Sequence, residues 1–257
     1  MSATPSKFVW YDLMTSDTQA AESFYQKVMG WEATASGMPD RPYTLFSVGP
    51  TMIGGLMPIA EEARALGARP GWMGYIGVAD VDATAARVQA AGGVLHRPPV
   101  DIPGIGRFSV VADPHGAAFI LFKGASAQPP VQAAPATPGH IGWHELHAND
   151  GESAFAFYSS LFGWTQAEAI DMGPMGTYQT FAVGGDAVGG MMTKMPDLPL
   201  AMWLYYFNVD AIDNAMARVT QNGGKVLTGP HQVPTGQWIL QCLDPQGAMF
   251  ALLAAKR

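Results

Sequence analysis

Apolar and polar residues alternate along positions 8–14, which is typical of a strand with one buried face. Between positions 20 and 28 an apolar residue recurs every fourth position, which is typical of an amphipathic helix. Asp17 can cap the start of this helix, and Gly30 can end it. Further short strands are predicted near positions 31–34, 43–48 and 51–57. The pattern therefore predicts a β-α-β-β-β module.

The same order of elements follows three more times. Strands of the second module are predicted near positions 71–78, 94–96, 106–112 and 117–122. Asp80 and Asp82 can cap its helix. Residues 113–116 predict a tight hairpin, because Pro second and Gly fourth suit a type I turn. In the last module Asp210 and Asp213 are the matching helix caps, and residues 244–247 are the matching hairpin.

Four landmarks of the first half return in the second half at one fixed distance. Each of these pairs is 133 residues apart: Trp10 and Trp143, Asp12 and Glu145, Tyr25 and Tyr158, Gly30 and Gly163. Fixed spacing of this kind indicates an internal duplication. We therefore predict two tandem domains of two modules each, at residues 1–123 and 140–257. A Pro- and Ala-rich linker, residues 124–139, is predicted between them.

Composition limits the partners and the compartment. The formal net charge is −7, whereas nucleic acids and anionic membranes bind basic surfaces, so neither is expected as a partner. No run of about 18 apolar residues and no signal peptide is visible. Cys242 is the single cysteine, which excludes an intrachain disulfide and fits a reducing compartment. We expect a cytoplasmic protein that binds a small molecule, and its oligomeric state stays open.

Three motifs and their counterparts resemble the vicinal oxygen chelate superfamily, which includes glyoxalases, bleomycin resistance proteins and extradiol dioxygenases. The motifs are Asp17…Phe24-Tyr25…Gly30-Trp31, Val78…Asp82…Gly92-Gly93 and Asp113-Pro114-x-Gly116. The resemblance covers almost the whole chain outside the linker. It implies an α+β fold in which paired modules form a cupped mixed sheet, with helices on the outer face and a ligand on the concave face.

The enzymes of this superfamily hold a divalent metal in the cup, and the resemblance locates the equivalent ligand positions in this chain. They are occupied by Trp10, Met73 and Ile120 in the first half and by Trp143, Leu204 and Ala251 in the second. Divalent metals need oxygen, imidazole or thiolate donors, and a thioether suits only soft metals. The sequence therefore predicts no metal and no other cofactor.

The same strands offer a different kind of site. Residues two apart on a strand share a face, so the acids Asp12 and Glu145 are expected beside their tryptophans. An aromatic wall with one acid suits a small apolar or aromatic ligand. The predicted ligand-binding residues are Trp10, Asp12 and Tyr75 in the first half, and Trp143, Glu145, His147 and Tyr206 in the second.

Three functions remain open on these residues. The leading one is metal-free binding of a small, largely apolar or aromatic molecule, as in sequestration or detoxification. The second is a metal-dependent isomerase or lyase with a displaced site in the second domain, where Glu145 and His147 are two ligands or a pair for proton transfer. The third is a structural pseudo-dimer whose cups are filled, with the tryptophans as plugs. The sequence therefore leaves open whether the protein is an enzyme.

Overall fold

The computed structural model describes residues 6–38, 42–65, 67–126, 134 and 136–257. The first sheet consists of β1 (Phe8–Thr15), β2 (Glu32–Ala35), β3 (Thr44–Val48), β4 (Thr51–Pro58), β5 (Gly71–Gly77), β6 (Val94–Ile102), β7 (Gly106–Ala112) and β8 (Ala118–Gly124). The second consists of β9 (Ile141–Ala148), β10 (Thr165–Asp171), β11 (Thr177–Ala182), β12 (Ala187–Thr193), β13 (Met202–Asn208), β14 (Lys225–Gln232), β15 (Trp238–Leu243) and β16 (Met249–Ala254). The helices are α1 (Thr18–Met29), α2 (Glu61–Ala65), α3 (Val81–Ala90), α4 (Gly151–Phe162) and α5 (Ile212–Gln221). Residues 127–133 and 135 of the predicted linker lie outside the described residues.

Both sheets have the same strand order. It is β2-β3-β4-β1-β5-β8-β7-β6 in the first and β10-β11-β12-β9-β13-β16-β15-β14 in the second. Within each module the first strand pairs in parallel with the last, and the other neighbours are antiparallel. The prediction of an α+β fold with two mixed eight-stranded sheets is confirmed.

Local sequence explains where the helices start and stop. Asp17 caps α1, since its Oδ1 accepts a hydrogen bond from the backbone N of Ala20 at 3.0 Å, and Asp150 caps α4 in the same way. Both helices end at a glycine in the left-handed region, Gly30 at φ +74° and Gly163 at φ +71°, where a Cβ would be strained. The predicted ends of α1, at Asp17 and Gly30, are confirmed.

The caps expected for the last helix are wrong. The N-cap of α5 is Ala211, which makes no side-chain cap hydrogen bond. Asp210 and Asp213 pair instead with arginines, Asp210 with Arg218 at 2.9 Å and Asp213 with Arg257 at 3.2 Å. Asp210 precedes the N-cap residue and Asp213 lies inside the helix, so neither carboxylate is at the capping position. The short helix α2 was not predicted.

The contacts divide the chain into two compact units. Unit 1 contains residues 1–10, 73–130 and 143–203, and unit 2 contains residues 11–72, 131–142 and 204–257. Four of the five boundaries fall inside β1, β5, β9 and β13. The second module therefore shares a unit with the third, and the first module shares one with the fourth.

Each unit has an aromatic core built around the repeated tyrosine and Gly-Trp landmarks. In unit 1 the buried Trp164 stacks on Tyr158 and on Phe181, with ring centroids 5.3 and 4.5 Å apart. In unit 2 the buried Tyr25 stacks on Trp31 at 5.7 Å. Such rings bury large areas and gain about 0.5–1.5 kcal/mol per pair beyond area burial.

The hairpin aspartates do more than form turns. Asp113 Oδ1 accepts hydrogen bonds from the backbone N of His115 and of Ala117, both at 2.9 Å. Its Oδ2 accepts from the Tyr158 hydroxyl at 3.0 Å, and that hydroxyl accepts from Trp203 Nε1 at 2.9 Å. In unit 2 the Tyr25 hydroxyl likewise donates to Asp244 and accepts from Trp72. Each aspartate thus ties its hairpin to a helix of another module.

We expect Tyr158→Phe to lower the free energy of unfolding by about 1–3 kcal/mol, because it removes a buried hydroxyl that serves both Asp113 and Trp203. Tyr25→Phe should cost a similar amount, since it removes the equivalent hydroxyl. Urea unfolding of both variants measures this. A Tyr158→Phe protein as stable as the wild type would show that these bonds contribute nothing.

None of the helices in the described part of the chain is both long and apolar enough to cross a membrane.

Candidate functional site

A hydrogen-bonded cluster of unit 1 contains three of the predicted site residues. Trp143, Glu145 and His147 alternate along β9 and so share one face. A fourth member, Tyr178 of β11, reaches them because β12 between the two strands carries Gly190 opposite Glu145. A Cβ at Gly190 would overlap the Tyr178 ring. We call these four side chains the Glu145 cluster: Trp143, Glu145, His147 and Tyr178.

The side chains of the Glu145 cluster contact one another in series. Trp143 Nε1 donates to the Tyr178 hydroxyl at 2.7 Å, and that hydroxyl donates to Glu145 Oε2 at 3.0 Å. The other carboxylate oxygen, Oε1, lies 2.9 Å from His147 Nε2. Glu145 and His147 are both buried, each only 8% exposed. The indole and the hydroxyl thus fix the orientation of the carboxylate.

Burial and then the nearby charge of Glu145 raise the pKa of Tyr178 well above its usual value. The phenol therefore stays protonated across the physiological range, and it acts as a donor to Glu145. Sequence reading did not identify Tyr178. A signal existed, because Tyr43 and Tyr178 are 135 residues apart and so are Gly55 and Gly190.

Unit 2 contains the counterpart pair. The Tyr43 hydroxyl donates to Asp12 Oδ1 at 2.7 Å, and a Cβ at Gly55 would overlap both side chains. The room above Gly55 is therefore taken by a tyrosine of the chain itself, as it is above Gly190. The position equivalent to His147 is Met14, so the imidazole belongs to the second half alone.

Trp10 and Tyr75 meet in a different environment, an apolar cluster of unit 1. Tyr75, Phe108 and Ile120 form its buried centre, 8%, 8% and 4% exposed. The partly buried Trp10 and Met73 pack against this centre. Three positions that the resemblance equates with metal ligands, Trp10, Met73 and Ile120, thus do come together, and they bring an indole, a thioether and an alkyl chain.

The remaining predicted residue, Tyr206, lies in unit 2. It is almost fully buried, and its hydroxyl accepts a hydrogen bond from Gln241 Nε2 at 2.9 Å. Leu204 and Ala251, the other equivalents of metal ligands, are fully buried alkyl side chains.

The donor set does not fit the divalent metal of the superfamily. The six equivalent positions offer no oxygen, imidazole or thiolate atom. Among the described residues, no three His, Cys, Asp or Glu side chains are grouped closely enough to hold an ion. Glu145 and His147 therefore lack a third protein ligand in the described part of the chain.

His144, on the opposite face of β9, is structural. Its ring stacks on Phe8 at 4.4 Å, and its Nδ1 donates to the carbonyl of Val188 at 2.8 Å. Burial lowers the pKa of His144 to about 4. The imidazole is therefore neutral in the folded protein at physiological pH.

This burial predicts a pH-dependent stability. The ordinary histidine pKa is 6.5, so between pH 6.5 and 4 the unfolded chain binds a proton that the folded chain does not. Stability should fall as pH falls through that window, by up to about 3 kcal/mol from this residue. His144→Phe keeps a ring on Phe8 and removes the titration. Urea unfolding at pH 7.5 and 4.5 should show a smaller loss in the variant, and an equal loss would contradict the assignment.

The chain belongs to the Glyoxalase/Bleomycin resistance protein/Dioxygenase superfamily. The family model matches residues 7–121 and again residues 138–252, one match in each half. The resemblance stated from the sequence motifs is confirmed.

Two curated relatives match nearly the full length. The putative glyoxylase CFP32 of Mycobacterium bovis is 32% identical over 252 residues, covering 95% of this chain and 93% of the relative. The anthracycline biosynthesis protein DauV of Streptomyces sp. strain C5 is 30% identical over 265 residues, covering 97% and 93%.

Solved structures show the same fold at low identity. The Mn(II)-bound glyoxalase from Novosphingobium aromaticivorans superposes with a TM-score of 0.68 at 16% identity, covering 100% of this chain and 84% of that one. The 2,3-dioxygenase LapB from Pseudomonas sp. KL28 gives a TM-score of 0.68 at 14% identity, covering 99% and 94%.

Proposed function

We propose that this protein binds a small, largely apolar or aromatic molecule without a metal, and that the Glu145 cluster is its principal site. The observation that carries the proposal is the oriented, buried carboxylate beside an indole. Trp143 supplies a partly exposed aromatic surface, and Tyr178 holds Glu145 in one orientation. Apolar pockets with a few fixed polar groups are the usual form of small-molecule sites.

The apolar cluster around Trp10 has a supporting role in this proposal. Tyr75 and Ile120 are packed closely beneath Trp10, so the indole serves as a wall rather than as a metal position. Asp12 and Tyr206 belong to unit 2 and are proposed as ligand-binding residues of that unit, where Tyr43 donates a hydrogen bond to Asp12 and Gln241 donates one to Tyr206.

The name of one relative supports an aromatic ligand. That relative is named for anthracycline biosynthesis, and its alignment covers 97% of this chain. An aromatic ligand suits that name and suits the tryptophans of this chain. Another relative is named a putative glyoxylase.

Catalysis by proton transfer is the second candidate function, since Glu145 Oε1 and His147 Nε2 lie 2.9 Å apart and both residues are buried. Proton transfer by this pair requires no metal, so we favour it over a metal-dependent enzyme with a displaced site. If it holds, Glu145→Gln should abolish turnover of a carbonyl substrate while leaving binding of apolar ligands in place.

Tryptophan fluorescence tests the binding proposal. Titration with 2-naphthol, a small aromatic probe, should quench the wild type, and Trp143→Phe should remove most of the quenching because the reporting indole is gone. Trp238→Phe is the matched control, since Trp238 lies under Arg257 outside the cluster. No saturable change in the wild type with any small aromatic probe would refute the proposal.

A further inference from the structure

The imidazole of His147 is buried and has nitrogen atoms that are unpartnered among the described residues. The residue is 8% exposed, and in the described part of the chain neither Nδ1 nor Nε2 makes a hydrogen bond, although Nε2 lies 2.9 Å from Glu145 Oε1. Buried polar atoms without a partner are uncommon in native proteins, and each calls for an explanation. In the first half the equivalent position holds Met14, so the duplicated module does not need an imidazole here.

The contact with Glu145 determines which ring nitrogen is available. A carboxylate oxygen only accepts hydrogen bonds, so Nε2, 2.9 Å from Oε1, is the nitrogen that carries hydrogen. The contact does not have hydrogen-bond geometry, yet a carboxylate oxygen this close to Nε2 would repel a lone pair there. In the neutral ring Nδ1 then carries a lone pair and acts as an acceptor.

The other three members of the cluster cannot take over this role. The indole and the phenol are already engaged, with Trp143 donating to Tyr178 and Tyr178 donating to Glu145. One carboxylate oxygen accepts from Tyr178, and the other lies 2.9 Å from His147 Nε2. His147 Nδ1 is therefore the group of the cluster that awaits a partner.

We infer that His147 Nδ1 accepts a hydrogen bond from a hydroxyl group of the ligand, so that the second half selects hydroxylated aromatic molecules. The inference rests on the proposed function and names the ligand class for that site. A ligand without a hydroxyl would leave Nδ1 without a partner, and it should bind about 10-fold more weakly than a ligand that supplies this hydrogen bond. The first half, with Met14, gives no such preference.

A pair of matched probes tests the inference. The affinities of 2-naphthol and 2-methoxynaphthalene are measured by isothermal titration calorimetry for the wild type, for His147→Met and for Met14→Leu. The wild type and Met14→Leu should prefer 2-naphthol by about 10-fold, and His147→Met should bind the two probes within about 2-fold. His147→Met copies the residue that the first half carries at the equivalent position.

Each outcome bears on a separate claim. Equal affinities in the wild type would overturn the hydroxyl inference and leave the binding proposal intact. A preference that survives in His147→Met would also overturn it, because another group would be the acceptor. No binding of either probe would overturn both the hydroxyl inference and the binding proposal.

Thermal unfolding checks that His147→Met is folded, and His147→Gln replaces it if it is not. A change in the His147 Nδ1 nitrogen-15 shift with 2-naphthol, absent with the ether, is the independent confirmation.

Discussion

Gly190→Ala is expected to destabilise the protein by about 2–4 kcal/mol and to disrupt the Glu145 cluster. The added Cβ would overlap the Tyr178 ring. Because that ring is held by Trp143 on one side and Glu145 on the other, it cannot move away without breaking two partly buried hydrogen bonds. Overpacking and loss of buried hydrogen bonds each cost about 1–3 kcal/mol.

Urea unfolding and naphthol titration measure the two effects of Gly190→Ala. Gly185→Ala is the matched control, because a Cβ at that position meets nothing within 4 Å. The control should remain near wild type in both assays. A Gly190→Ala protein of unchanged stability would mean that the tyrosine does not occupy the space above this glycine.

Glu145→Ala is expected to cost about 3 kcal/mol of stability and most of the ligand affinity. It removes the acceptor of the Tyr178 hydroxyl and the neighbour of His147, both in buried surroundings. Breaking a buried polar network by deleting one member leaves the others desolvated and unpaired. Glu145→Gln keeps an acceptor for Tyr178, so it should cost only about 1 kcal/mol.

Glu152→Ala is the control for Glu145→Ala, because it removes the same charge from an exposed position. Glu152→Ala removes an exposed carboxylate from the first turn of α4, and it should change stability and ligand affinity little. If Glu145→Ala and Glu152→Ala behaved alike, Glu145 would have no special role in the cluster.

Local patterns gave the elements of the fold with good accuracy. The alternation at 8–14 and the four-residue period at 20–28 correspond to β1 and α1, and Asp17 and Gly30 mark the helix ends. The caps expected for α5 were wrong because Asp210 precedes the N-cap residue and Asp213 lies inside the helix. Local patterns locate the existence of a helix better than its first residue.

The candidate site was predictable only in part. Period-two spacing correctly grouped Trp143, Glu145 and His147 on one strand face. It could not supply Tyr178, which lies 33 residues beyond Glu145 and joins it through strand register. Nor could it show that Tyr43 and Tyr178 occupy the space above Gly55 and Gly190, the glycines opposite the two acids. Which side chain fills the space above Gly190 depends on the register of three strands, β9, β11 and β12.

Ligand titration of metal-stripped protein tests whether the Glu145 cluster binds an aromatic molecule without a metal. The protein is treated with a chelator, its metal content is determined by elemental analysis, and 2-naphthol is titrated before and after Mg, Mn, Fe, Co, Ni or Zn is added. We expect the metal-stripped protein to bind with unchanged affinity and Glu145→Ala to lose binding. Binding that disappears on stripping and returns with one metal, held in a stoichiometric amount that Glu145→Ala abolishes, would contradict the claim.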